Sequence, residues 1–179
     1  HLMMGSVAER VVRHAPCSVL AVRPWVEATT FPRHILVATD FSDLSKGALR
    51  DAAMLGSTFD AKLTVLHVFR ESPDSLPGNI AGYRSLADVE EQLREALEEI
   101  REAHFEGRGG VDLVVSTAPP LAIAQYAQRH DVDLIVMGTH GRTGLRRMLI
   151  GSIAEKTTRI AHCAVWTARP RPAELEGAS

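Results

Sequence analysis

Two cysteines in 179 residues are too few for a disulfide framework, and both Cys17 and Cys163 sit inside apolar stretches. Buried, reduced thiols in a cytoplasmic protein are the plain expectation. Neither sign of charge is in excess: 20 Lys and Arg stand against 22 Asp and Glu, a formal net charge of −2. That balance offers no electrostatic footprint for nucleic acid or for an anionic membrane. No apolar run approaches the ~20 residues that span a bilayer. The opening residues do not read as a secretory signal; "HLM" reads instead as an expression scar, which leaves the natural start open.

What is present is the composition of an ordinary globular domain, 45% hydrophobic and 23% charged. The length suggests one domain. Short apolar runs alternate with helical patterns, which points to parallel strands joined by crossover helices. The runs "HILVATD" (34–40), "AKLTVLHVF" (61–69), "VDLVVS" (111–116), "VDLIVMG" (132–138) and "CAVWTAR" (163–169) read as five strands. Their nearly continuous apolar character fits strands covered on both faces. Between them, "SKGALRDAAMLGSTFD", "PPLAIAQYAQRHD" and "GSIAEKTTRIAH" read as helices, the first capped by Ser42 or Asp43. Leu86, Val89, Leu93, Leu97 and Ile100 recur at helical spacing among acids and bases, an amphipathic helix whose charges form its solvated face. The expected fold is a doubly wound, Rossmann-like α/β domain over 34–170, followed by a disordered tail at 171–179.

The chain also contains part of itself twice. Gly5–Pro24 aligns without a gap on Gly151–Pro170 with ten identities in twenty positions, Cys17 matching Cys163 among them. Internal repeats announce duplicated modules, yet only the end of a first copy is here.

The stretch most suited to chemistry is "VMGTHGRTGLRRMLIGSIAEK" (136–156). Gly138, Gly141, Gly144 and Gly151 follow a strand, and Gly151-Ser152 stands where the next helix begins. Glycines let backbone amides approach a ligand closely. Unpaired N–H groups at a helix start, with the macrodipole behind them, attract anions. Ser152 adds a hydroxyl, and His140 and Arg142 add donors that could face a phosphate chain. In open α/β sheets such sites lie beyond the carboxyl ends of the strands at the topological switch point, which would bring Asp40 beside this loop. Better-known phosphate loops are absent: there is no GxxxxGK[ST] and no GxGxxG, and the turn "ATDFSDLS" has no glycine before Gly47. Asp40, Ser42 and His140 superficially offer acid, nucleophile and base, but nothing in the sequence orders them as a triad. His67 reads as a core side chain, and the remaining histidines lack metal-ligand spacing.

"ILVATDFSDLSKGAL", "LTVLHV" and above all "DLIVMGTHGRTGL…GSIAEK" resemble the universal stress protein family. Its nucleotide-binding members carry Gly-x2-Gly-x9-Gly-Ser/Thr, matched here by Gly138, Gly141, Gly151 and Ser152. The resemblance covers 33–170 and implies a five-stranded sheet ordered 3-2-1-4-5, ATP between strands one and four, and dimers built through the fifth strand. By it, Ala38, Thr39 and Asp40 lie against adenine and ribose, and Val68 meets the base. Met137 and Gly138 support the nucleoside, while His140, Gly141, Arg142, Gly151, Ser152, Ile153 and Ala154 hold phosphates. Mg²⁺ or Mn²⁺ would ride mainly on phosphate oxygens. One departure is Thr117-Ala118-Pro119, where relatives often have Gly-x-Pro.

The function this implies is an ATP-binding stress-response module that uses the nucleotide as a state signal. Alternatives are a binder of AMP or cyclic AMP, or an interaction scaffold with a vestigial site. No efficient enzyme is expected, only slow ATP hydrolysis or self-phosphorylation. Residues 1–24 then read as the last helix (about 5–14) and strand (about 17–23) of a preceding stress-protein domain, with 25–33 as linker. An unpaired apolar edge such as 163–169 invites aggregation. The expectation is that Ser18–Val22 pairs with Ala164–Ala168, within the chain or across a homodimer.

Overall fold

The computed structural model describes residues 5–24, 32–70, 86–139 and 150–169. The chain begins with α1 (Ser6–His14) and β1 (Val19–Ala21), then enters β2 (His34–Ala38). A 3-10 turn at Asp43–Ser45 leads into α2 (Lys46–Phe59), followed by β3 (Lys62–Phe69), α3 (Leu86–Phe105), β4 (Gly110–Val115) and α4 (Pro119–Arg129). The last elements are β5 (Leu134–Gly138), α5 (Ser152–Ile160) and β6 (Ala164–Ala168).

Strands β2 to β6 are parallel, in the order β4-β3-β2-β5-β6, which is the expected 3-2-1-4-5 once the five are numbered among themselves. The sheet nevertheless has six strands rather than five, because β1 adds antiparallel to β6 within the same chain. The chain leaves β2 toward β3 and β4 and later returns to its other side through β5. The carboxyl ends of β2 and β5 therefore flank the switch point.

Period-2 alternation sorts the strand side chains onto two faces. Leu36, Leu66, Ile135, Met137 and Val165 pack with Ile123, Tyr126 and Ala127 of α4 and Ala154 of α5. Ile35, Val37, Leu63, Val65 and Val136 pack with Ala48, Leu49 and Ala52 of α2 and Leu97 and Phe105 of α3. Two helical layers thus enclose the sheet. His34, at the start of β2, is buried and linked at both ring nitrogens: Nδ1 lies 3.0 Å from the carbonyl of His130 and Nε2 2.9 Å from Thr64 Oγ1. A carbonyl only accepts, so the ring proton sits on Nδ1 and Thr64 donates to Nε2. Burial lowers the His34 pKa, keeping the ring neutral.

The N-terminal pair docks with the symmetry that the repeat dictates. Val19 faces Thr167, Leu20 faces Trp166 and Ala21 faces Val165. Each residue lies opposite the repeat equivalent of its mirror neighbour, with Leu20 and Trp166 at the centre. Arg23 donates to the carbonyls of Thr158, Arg159 and Ala161 at the end of α5, at 2.6, 2.7 and 3.1 Å. Its repeat equivalent Arg169 reaches back to the carbonyl of Arg13 near the end of α1, at 3.5 Å. Helix carboxyl ends carry unpaired carbonyls and partial negative charge, so each guanidinium caps the other copy's helix.

Several expectations need correction. The first strand of the repeat spans Val19–Ala21 rather than about 17–23, and Cys17 is exposed whereas Cys163 is buried. Among the described residues β1 is the end strand of the sheet, whereas β6 is flanked by β5 on its other edge. Ser42 and Asp43 do not cap α2 through their side chains; a 3-10 turn intervenes and the helix begins at Lys46. The tail at 171–179 and the linker from 25 to 31 lie outside the described residues.

Candidate functional site

The segment leaving β2 turns sharply. Asp40 Oδ1 accepts from the amide of Ser42 at 3.1 Å and from its hydroxyl at 2.6 Å, closing an Asx turn. Phe41 between them takes φ 64°, a left-handed conformation that is unfavourable for a bulky residue. Its amide donates to Thr39 Oγ1 at 3.1 Å, and its ring lies 4.5 Å from that of His67, centroid to centroid. Residues held in such conformations cluster where a backbone must be aimed at something.

Thr39 organises this corner. Its amide donates to the carbonyl of Leu66 at 3.0 Å, and its own carbonyl accepts from His67 Nδ1 at 2.8 Å. Ser45 gives its hydroxyl proton to the carbonyl of Ser42 at 2.7 Å, so Thr39 is the donor in the 3.0 Å contact between the Thr39 and Ser45 hydroxyls. The Ser42 proton is likewise committed to Asp40, and together these bonds make the corner a turn scaffold.

Across the switch point, Ala38 stands in register with Met137, and Gly138 with Ala168 of β6. Thr139 is 1% exposed, donates its amide to the carbonyl of Ala168 at 3.0 Å, and accepts at 2.6 Å from the amide of Gly151. That last bond ties the end of β5 to the start of α5. Gly151 is the N-cap of α5, in extended conformation and with no side-chain cap. The first intrahelical bond runs from the Glu155 amide to the Gly151 carbonyl at 3.0 Å. The amides of Ser152, Ile153 and Ala154 therefore precede the helical ladder and have no acceptor within it.

The structure brings Ala38, Thr39, Asp40, Met137, Gly138, Gly151, Ser152, Ile153 and Ala154 to the carboxyl ends of β2 and β5. Ser152 and Ile153 are exposed, whereas the Ala154 side chain is buried in the core. Val68 lies further along the sheet on β3, partly buried on the α4 and α5 side with Met137. His140, Gly141 and Arg142 lie outside the described residues. Ser45, His67 and Thr139, which hold the corner in place, were not marked as site residues by sequence reasoning. His67 offered one signal, a titratable group inside an apolar strand; Ser45 and Thr139 offered none.

The universal stress protein family profile matches residues 1–23 and 32–169. A universal stress protein of Methanocaldococcus jannaschii is 34% identical over 137 residues, covering 74% of this chain and 79% of that protein. The chain belongs to the universal stress protein family. Among solved universal stress proteins, one from Archaeoglobus fulgidus DSM 4304 superposes with a TM-score of 0.65 at 25% identity. That match takes in 95% of this chain but only 56% of the relative. A second, the Archaeoglobus fulgidus universal stress protein in complex with dAMP, superposes with a TM-score of 0.54 at 25% identity and is covered over 100% of its length, with 78% of this chain. No helix among the described residues is long and apolar enough to cross a membrane.

Proposed function

We propose that this universal stress protein binds ATP in the crevice between the carboxyl ends of β2 and β5, and uses the bound nucleotide as a state signal. The observation that carries the reading is the placement of the uncapped start of α5 across the switch point from the Asp40 turn. Three amides and the Ser152 hydroxyl offer an anion site there, and the Asp40 turn offers a carboxylate and backbone groups for ribose and base. In this reading Ala38, Thr39, Asp40 and Val68 border the nucleoside, with Met137 and Gly138 beneath it. Gly151, Ser152, Ile153 and Ala154 hold phosphates, joined by His140, Gly141 and Arg142. Mg²⁺ or Mn²⁺ would ride mainly on phosphate oxygens, as magnesium often does.

A second reading, a nucleoside monophosphate such as AMP or cyclic AMP, is favoured by the relative solved with dAMP. Calorimetry with ATP, AMP and cyclic AMP on nucleotide-stripped protein separates the two. Tighter binding of ATP supports the first reading, and equal or tighter binding of a monophosphate supports the second. No heat at millimolar concentrations of any of them removes both.

A further inference from the structure

The turn after β2 is anchored on one face of the sheet, while apolar groups assigned to the nucleotide stand on the other. Alternation sends Ala38, Val68 and Met137 toward α4 and α5, where Ala154 also packs. His67 stands in register with Leu113 and, like it, points toward α2 and α3. Phe41 packs on that same face, its ring 4.5 Å from the His67 ring. The Thr39 hydroxyl joins the anchor: it gives its proton to Ser45 and accepts from the Phe41 amide. The carbonyl of Thr39 is held separately, 2.8 Å from His67 Nδ1. A carbonyl only accepts, so the ring donates from Nδ1. Thr39 and His67 are 6% and 8% exposed, and this bond is therefore made out of reach of bulk water.

We propose that His67 is a positioning residue for the nucleoside end of the site, acting through Thr39 and touching no ligand itself. The inference rests on the nucleotide-binding reading above and adds to it a residue from the opposite face of the sheet. The Thr39 carbonyl belongs to the rigid peptide unit that leads into Asp40, so fixing its oxygen fixes the plane from which Asp40 departs. The next residue, Phe41, takes φ 64°, a conformation that a bulky side chain keeps only where its surroundings over-determine it. His67 supplies two of those constraints, the bond to Thr39 and the ring against Phe41. The Asp40 turn is thereby aimed before a nucleotide arrives, and binding need not pay to order it. The start of α5 is held by a different bond, from the Gly151 amide to the Thr139 carbonyl. Loss of the His67 donor should therefore loosen the nucleoside end and leave the phosphate end in place.

Two substitutions separate the donor from the ring. His67→Phe keeps a ring against Phe41 and removes the N–H, whereas His67→Asn keeps an N–H donor at the place of Nδ1 and removes the ring. Calorimetric titration of the full chain with ATP and with AMP should show His67→Phe weaker by roughly five- to tenfold, the loss of about one hydrogen bond. His67→Asn should stay within about threefold of the unsubstituted protein. Amide hydrogen exchange without nucleotide gives the second readout: His67→Phe should speed exchange at Phe41 and Ser42 by about tenfold and leave Gly151 unchanged. Should His67→Phe fail to fold, His67→Leu, smaller and equally without a donor, takes its place. Equal affinity in all three proteins, equal loss in both variants, or unchanged exchange at Phe41 and Ser42 overturns the proposal while the nucleotide reading stands. An unsubstituted protein that binds neither ATP nor AMP overturns both.

Discussion

Arg13 of α1 lies 2.7 Å from Glu155 in the first turn of α5, a contact spanning almost the whole chain. Arg13 also meets Glu9 at 3.3 Å. Glu155 is the one acid in the turn whose amides would receive an anion, and the guanidinium offsets its charge there. Under the nucleotide-binding proposal, Arg13→Ala should weaken ATP binding several-fold, roughly 0.5–1 kcal/mol at low salt. The effect should shrink with added salt. Glu155→Gln in the Arg13→Ala background should recover most of the loss. Calorimetric titration of the three variants makes the comparison, and equal affinities throughout would separate the N-terminal helix from the site.

Ser152 offers an independent handle. It is exposed, and its position at the start of α5 leaves its hydroxyl available to a phosphate. Ser152→Ala should change unfolding stability by no more than about 0.5 kcal/mol, as surface changes generally do. Loss of one hydrogen bond to a charged group should reduce ATP affinity by about 1.5–3 kcal/mol. A variant that loses stability instead would recast the serine as a structural residue.

His34 links stability to pH. Its pKa is lowered by burial, and those of His104 and His162 are lowered chiefly for the same reason. A histidine whose folded pKa lies below its unfolded value of 6.5 adds stability above that value. The contribution fades as pH falls below it, because the unfolded chain takes the proton first. Urea unfolding between pH 7.5 and 5 should therefore show declining stability. His34→Gln should lower stability at pH 7.5 yet flatten the decline, by up to about 1.4 kcal/mol per pH unit. Parallel curves for the two proteins would show that His34 takes up its proton equally in the folded and unfolded states.

Adjacent glycines at the entry to β4 should respond in opposite ways. Gly109 has φ +83°, and a Cβ there would stand 2.5 Å from the carbonyl oxygen of Leu63, a backbone atom that cannot swing aside. Gly110 would meet nothing within 4 Å. Gly109→Ala should cost at least about 2 kcal/mol from strain and overlap. Gly110→Ala should be neutral or stabilising by up to about 1 kcal/mol, through the smaller entropy of its unfolded chain. Chemical denaturation of the pair is sufficient.

The sequence announced the strands because burial on both faces forces unbroken apolar runs such as Ile35, Leu36 and Val37. It announced the start of α5 because a strand, glycines and a serine stand in order there. The corner behind Asp40 was not legible. Ser45 contacts Thr39 from six residues away, and His67 reaches Thr39 from a neighbouring strand, so no local spacing encodes either contact. Helix capping by Ser42 was a fair reading of residue type, but the hydroxyl prefers the carboxylate two residues before it. Cys17 misled for a different reason. It repeats the local sequence of Cys163, but burial is set by what packs around a segment, and Cys17 is exposed where Cys163 is buried.

The bond from the Gly151 amide to the Thr139 carbonyl has a consequence for how this site can vary. The bond joins backbone to backbone, so it asks nothing of the side chains at either position. Substitutions at Thr139 or Ser152 can therefore change the chemistry presented there while the link from the end of β5 to the start of α5 persists.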